Sequence, residues 1–357
     1  MTDQPPIPTN EADEFPPPVA PADFAAADPH LALAGAAVPR LTGGLAAVQY
    51  VLVPAAIGSR SALYGTDDTG RLWQKWWGYY GKPGDPGSAW ECLGAPPEPG
   101  GLVGPLTAVY WVDHRYAIYG TTRSGQVYRR QWLTNQWTGW EKAGAPAPDH
   151  PVSGLTSFRL RLGEHIVVAA AGSGLYGTQV SGVNRGEFHW NTFDSPAANG
   201  RPGVLPEVPA GPVATACPGG DNYVLFLLGQ SGAVWVLPTI GRPADWVSIG
   251  QPQLAAGRRV LALAAESYAM GRFAVYALDD AGHVHENYWD LQAFSGWHEV
   301  RFIGDDIPGY QPGTGLTVAF KYLGWYALYL TDAQGTCYQL WYEGTKWGSA
   351  WKQVSAG

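Results

Sequence analysis

A turn glycine followed, one short strand later, by an aromatic residue that closes the unit recurs six times in this 357-residue chain. The glycines are Gly70, Gly125, Gly182, Gly232, Gly282 and Gly335, and the closing aromatics are Trp90, Trp140, Phe193, Trp246, Trp297 and Trp351. A period near fifty residues with several short strands per unit is what a propeller blade requires, because each small sheet buries its faces only against its neighbours. The repeat therefore predicts an all-β chain: a six-bladed β-propeller of four-stranded antiparallel blades over residues 30–357. An arm, 1–29, precedes it.

The first repeat shows the pattern in full, with AAVQYVLVP, SALYGT, RLWQKWW and SAWECLG as four strands and DDTG as the turn between the second and third. Alternating apolar positions mark each as a strand. The second, fifth and sixth repeats copy it. The third and fourth are degenerate, with GLYGTQVSG interrupted by VNRG and VLFLLGQSGAVWVL lacking polar residues in its third strand. Residues 1–29 hold eight prolines and six acidic residues, and the first Lys or Arg is Arg40. Such a segment buries too little apolar surface to offset its ordering, so it reads as a flexible solubilising arm or as a docking arm for a protein partner, anchored by Phe15 and Phe24. The stretch His30 to Leu41 resembles the inter-repeat segments and is expected to add a strand beside the last blade.

Composition narrows the function. A net charge of −8 argues against a nucleic-acid partner, whose affinity comes from clustered Lys and Arg. The 17 Trp and 19 Tyr exceed what small sheets need for their cores, which leaves aromatic surface for other work. Cys92, Cys217 and Cys337 lie in different repeats and read as buried apolar side chains rather than as a disulfide framework. No apolar run is long enough for a membrane span, and the N-terminus lacks the basic and apolar regions of a secretion signal. The expected location is cytoplasmic, or outside the cell by release without such a signal.

Aligned on the turn, the third strands place Trp73, Tyr128, Trp235, His285 and Tyr338 in one column and Trp77, Trp132, Trp289 and Tyr342 four residues later, with Lys75, Arg130, Asn287 and Leu340 between them. Side chains two apart share a face of a strand, so each row offers a ring, a polar or cationic group and a second ring. That arrangement suits a pyranose, whose C–H face packs on an aromatic plane while Lys, Arg or Asn donates to its hydroxyls. The plainer reading is that these rings fill the space between blades. The other face carries Gln74 with Trp76, Arg129 with Gln131, Glu286 with Tyr288, and Gln339 with Trp341. Either face could hold a sugar, and the sequence does not choose between them.

His283 and His285 share a strand face, but no third ligand accompanies them and His285 sits in an aromatic column, so neither a metal nor a cofactor is expected. No G-x-S-x-G elbow and no phosphate-binding glycine loop is present. The first strands AAVQY, LTAVY and LTVAF, which would line the propeller axis, are mainly apolar and disfavour an axial active site.

The turn TDDTGRLW, Thr66 to Trp73, resembles the Asp-box of sialidase-like propellers, in which Asp68 would bond the turn amides and Gly70 would supply positive φ. The arginine cluster, tyrosine nucleophile and acid partner of a sialidase cannot be picked out. The repeats as a set, Y-G-T/D-x-x-G-x-[LV]-[WY] with a Trp-rich third strand and W-x-x-[LA]-G, resemble the tectonin-like and fucose-lectin-like β-propeller lectins over about residues 42–357. The resemblance implies sugar pockets between blades, with glycans carrying fucosylated or methylated sugars as partners. Carried onto matching positions it favours Trp77, Arg130, Trp132, Glu286 and Trp289, to which the two faces add Lys75, Asn287 and Trp341. The expectation is a non-enzymatic lectin; the alternatives are an adaptor propeller that recruits a protein and a glycosidase-like enzyme.

Overall fold

The computed structural model describes residues 38–354 apart from 52–58, 78–86, 113–114, 134–135, 162, 182–187, 193–204, 206, 220–221, 239–244, 323–324 and 344–345. Its strands form six antiparallel sheets, each built in chain order from the inside outward. Blade 1 comprises Leu45–Val51, Ser59–Thr66, Leu72–Trp77 and Glu91–Gly94, and blade 2 comprises Leu102–Val112, Arg115–Thr122, Val127–Leu133 and Glu141–Gly144 with an extra short strand, Gln136–Trp137. Blade 3 comprises Val152–Arg161, Glu164–Ala171, Gly174–Ser181 and Asn191–Thr192, and blade 4 Pro209–Gly219, Asn222–Gly229, Val234–Pro238 and Val247–Ser248. Blade 5 comprises Val260–Ala269, Arg272–Asp279, His283–Trp289 and His298–Phe302, and blade 6 Pro312–Tyr322, Trp325–Asp332, Cys337–Glu343 and Lys352–Gln353. Each first strand adjoins the first strands of two neighbouring blades, and the sixth returns to the first, so the layout is circular.

The second strands read as unbroken apolar runs, VVAAA, YVLFLL and FAVYAL, because blades pack on both of their faces and leave no wet side. Val167 to Ala170 and Val224 to Leu227 are completely buried. The core is accordingly six clusters, one in each seam between adjacent blades. The seam between blades 6 and 1 closes the ring with Leu45, Leu63, Trp77 and Trp90 against Ala327, Tyr329 and Trp341. Leu41, ahead of blade 1, enters this cluster and donates its N–H to the Gly335 carbonyl at 2.7 Å, as Leu102 does to Gly70 at 2.9 Å between blades 1 and 2. Closure at this point is a loop docked through Leu41; the rest of the strand expected from His30 lies outside the described residues, as does the arm 1–29.

Three readings of the sequence change. The third repeat is shifted: its strand-two to strand-three turn holds Gly172 at φ 56°, and its closing ring is Trp190, whose Nε1 donates to the Ala143 carbonyl at 2.7 Å as Trp297 does to Ile249 at 3.1 Å. Gly182 and Phe193, the residues expected there, lie outside the described residues. Cys217 is exposed rather than buried, while Cys337 is buried. Around the axis the first strands are not simply apolar, since Thr107 meets Ser157 at 2.7 Å and Thr156 meets Thr215 at 2.8 Å through their hydroxyls.

Candidate functional site

Alternation along the third strand sends consecutive side chains to opposite neighbours. Trp77 packs on blade 6 and Trp132 on blade 1, whereas Tyr64 and Leu72 of blade 1 face blade 2. Every ring-bearing row thus looks back at the preceding blade, and every row beginning Gln74, Arg129, Glu286 or Gln339 looks forward to the next. The two faces that the sequence leaves as alternatives are opposite walls of one seam.

The first aromatic column belongs to the turns. Asp67, not Asp68, accepts the N–H groups of Thr69 and Arg71, each at 3.0 Å, and its second oxygen accepts Trp73 Nε1 at 2.8 Å. The reason is register: the carboxylate must precede the turn residues whose amides converge on it. Asp332 repeats this with Gln334, Thr336 and the Tyr338 hydroxyl, and Asp279 with Ala281 and His283, leaving His285 Nε2 at 3.6 Å. In blades 4 and 2, whose turns lack the aspartate, a glutamate from the preceding segment substitutes: Glu207 accepts Trp235 Nε1 at 2.5 Å, and Glu98 engages Thr122 and Tyr128. His285 therefore stands in for a Trp or Tyr ring. Among the described residues no group of three or more His, Cys, Asp or Glu is placed to hold a metal ion.

Farther out, the forward-facing residue of each third strand pairs with the residue that follows the closing tryptophan. Blade 1 pairs Gln74 with Glu91 at 2.5 Å, and blade 2 pairs Arg129 with Glu141 at 2.5 and 3.1 Å. Blade 5 pairs Glu286 with His298 at 3.1 Å. The same register holds Gly177 opposite Asn191, Val236 opposite Val247, and Gln339 opposite Lys352. The seam between blades 4 and 5 thus lacks this polar pair.

The eight residues picked from sequence spread over four seams. Arg130 and Trp132 sit half-buried between blades 1 and 2: the guanidinium lies 5.8 Å from the ring centres of both Trp137 and Trp140, and Trp132 stacks on Tyr116 at 6.2 Å. The row of blade 1 that looks toward this seam carries Gln74, bonded to Glu91, and Trp76, which is 39% exposed. Glu286 faces blade 6, buried among Tyr276, Tyr326 and Tyr342. Asn287 is fully buried and accepts from Ser295 at 3.4 Å, beside half-buried Trp289 on the apolar seam with blade 4. Lys75, Trp77 and Trp341 are buried between blades 6 and 1, where Lys75 donates to the Ser88 carbonyl. These last three and Asn287 form seam floor, not open wall.

Glu91, Glu141, His298, Trp137, Phe188 and Trp347 are missed by the sequence reading. A signal for the first three exists: the position after the closing tryptophan reads Glu91, Glu141, Asn191, Val247, His298 and Lys352. It becomes visible only once Trp190 replaces Phe193 in the alignment. In the seam between blades 2 and 3, Arg129 is 2% exposed and its guanidinium covers the Phe188 ring at 4.7 Å. Behind it the Tyr119 hydroxyl meets His165 Nε2 at 2.6 Å; burial and then the Arg129 charge push that imidazole down to about 3.

No family model and no curated protein matches this sequence. Solved structures do match in shape. The six-bladed, fucose-recognising lectin of Aleuria aurantia superposes with a TM-score of 0.59 at 12% identity, covering 88% of this chain and 95% of its own. AofleA from Arthrobotrys oligospora gives 0.60 at 14% identity over 89% and 88%, and a lectin from Burkholderia pseudomallei 0.56 at 16% over 88% and 85%. The chain has the fold of these lectins. At such identities the likeness concerns the path of the backbone, and the seam residues above are this chain's own.

Proposed function

We propose that the protein is a non-enzymatic lectin that binds glycans in the seams between its blades. The observation that carries this is the seam between blades 1 and 2. A guanidinium and the rings of Trp132, Trp137 and Trp140 face a Gln74–Glu91 pair, and the indole N–H groups of Trp137 and Trp140 find no acceptor among the described residues. Flat apolar faces beside donors and acceptors are what a pyranose needs. Similarity to proteins described as fucose-binding makes fucosylated glycans the first ligands to try, with methylated sugars next. Arg129–Glu141 opposite Phe188 forms a second such site. Several weak sites on one rigid ring gain avidity on a multivalent surface, so monosaccharides bind far more weakly than displayed glycans.

A glycan array followed by calorimetry tests the reading. Trp132→Ala is expected to weaken binding about tenfold, the scale of one lost stacking contact, while leaving the folded state intact by circular dichroism. Deleting residues 1–29 should leave glycan affinity unchanged, and bound oligosaccharide should be recovered uncleaved. No binding to any glycan class sinks the proposal. Loss of binding on deleting the arm would favour the adaptor reading, and cleavage of the oligosaccharide the enzyme reading.

A further inference from the structure

The seam between blades 5 and 6 inverts the charge order of the pair between blades 2 and 3. Glu286 occupies the third-strand position that Arg129 holds in blade 2, and His298 the fourth-strand position of Glu141, each pair being separated by the same twelve residues. The facing column changes as well. Lys75 and Arg130 place a cation near the rings of Trp77, Trp137 and Trp140, at 5.9, 5.8 and 5.8 Å, but the equivalent residue in blade 6 is the neutral, fully buried Leu340. In three seams a side chain of the protein supplies the cation that lies over an aromatic ring, counting Arg129 over Phe188. In this one the rings are present and no such cation is recorded among the described residues.

Those rings are numerous. Tyr326 stacks on Tyr342 at 4.5 Å and meets Trp347 edge-on at 5.2 Å, while Tyr268 and Tyr276 of blade 5 approach Tyr326 at 6.4 Å across the seam. Glu286 is 6% exposed and lies among them, beside the Tyr276 phenol and hydrogen-bonded by His298 on Oε2. A carboxylate has about four acceptor positions, so room for donors remains. His298 itself is half-exposed and can yield its place. Arg301, on the fourth strand of blade 5, is held by Asp306 through two bonds of 2.6 Å. A buried carboxylate ringed by tyrosine and tryptophan faces is a setting that favours a compact cation over a neutral hydroxyl group.

Resting on the lectin reading above, we propose that the seam between blades 5 and 6 is a subsite for a protonated amine, the group an amino sugar carries when it is not N-acetylated. Glu286 is its counter-ion, and the half-buried rings of Tyr342 and Trp347, backed by Tyr326, form the wall against which the ligand rests. The propeller then reads two chemistries, neutral sugars in the seams where a side-chain cation lies over a ring and a cationic sugar between blades 5 and 6.

Calorimetric titration with fully deacetylated chitotriose and with its triacetylated form tests this in the full chain. The free amine should bind at least about tenfold more tightly than the acetylated form, the scale of one charge-assisted hydrogen bond. Glu286→Gln should erase that preference while leaving the affinity for a neutral fucosylated glycan unchanged. Leu340→Lys, which gives blade 6 the cation that blades 1 and 2 already have, should erase it too and decides the matter if the first variant does not fold. Equal binding of both chitotrioses by the unaltered protein, or an unchanged preference in either folded variant, overturns the subsite. Failure to bind any neutral glycan would instead overturn the lectin reading itself.

Discussion

His165 and His298 carry the same imidazole into opposite electrostatic settings. Burial, with Arg129 close by, pushes His165 down to about 3, so between the ordinary value of ~6.5 and that point only the unfolded chain binds the proton. Its contribution to stability is complete above ~6.5 and declines as pH falls toward the folded value. The hydrogen bond that His298 donates to Glu286 raises its pKa, so its contribution is complete below the unfolded value and fades as pH rises through the folded one. The His298 side chain is 45% exposed and screened by solvent, whereas His165 is fully buried, so the acid limb is the steeper. Urea unfolding measured from pH 7 to pH 4 should show stability falling, and His165→Asn should make that fall shallower. An unchanged slope would rule out this account of the acid limb. Neither role is visible in the sequence, where His165 is one polar letter inside EHIVVAAA and its partner Tyr119 lies a whole blade away.

At the scale of elements, five of the six turns that join second to third strands are organised by one carboxylate each, blade 3 being the exception. Asp67 is buried and bonds two amides and an indole, while its neighbour Asp68 is exposed. Asp67→Ala should therefore cost about 2 kcal/mol in thermal or chemical unfolding and Asp68→Ala close to nothing, since only the first leaves buried donors unpaired. Gly70 in the same turn adopts φ 78°, and a Cβ there would stand 2.2 Å from the Gly100 carbonyl oxygen of the neighbouring segment. Gly163 shares the positive φ, at 82°, but has open space around it. Gly70→Ala should be the more damaging of the two, by roughly 1–3 kcal/mol, because it adds a clash to the backbone strain that both substitutions share. Equal losses would mean that strain alone matters. Strands and turns were legible in four of the six repeats because their alternation and turn glycines are regular. Repeat three was misaligned because its third strand opens after Gly172 without an acidic turn, which left the later Gly182 as the more conspicuous marker.

The whole molecule depends on closing the ring, and Leu41 is a clasp for it. The residue is fully buried between the last blade and the first, and its amide bonds to Gly335. Leu41→Ala should cost about 2–5 kcal/mol, the range of a large-to-small change in a core, and show it as a lower melting temperature. A loss below about 0.5 kcal/mol, the scale of an ordinary surface change, would mean that closure relies on the strand contacts of blades 6 and 1 alone. The same closure makes each seam a joint product of two blades. Trp132 and Trp137 pack with Tyr64 and Leu72 only because blade 2 packs on blade 1, and Glu286 lies near Tyr326 only because blade 6 follows blade 5.

Periodicity by itself determined the blade count and the strand order of the four regular repeats, because a repeated local pattern can be buried in few ways. It also placed a row of rings with a polar or cationic group between them on one face of the regular third strands, and a second row that begins with a polar residue on the other. Only the tertiary structure decided that those faces meet across a seam, which of the rings are sealed as floor, and which polar pairs face the next blade. These are contacts between residues about fifty positions apart, and no local spacing encodes how deeply two neighbouring sheets interlock.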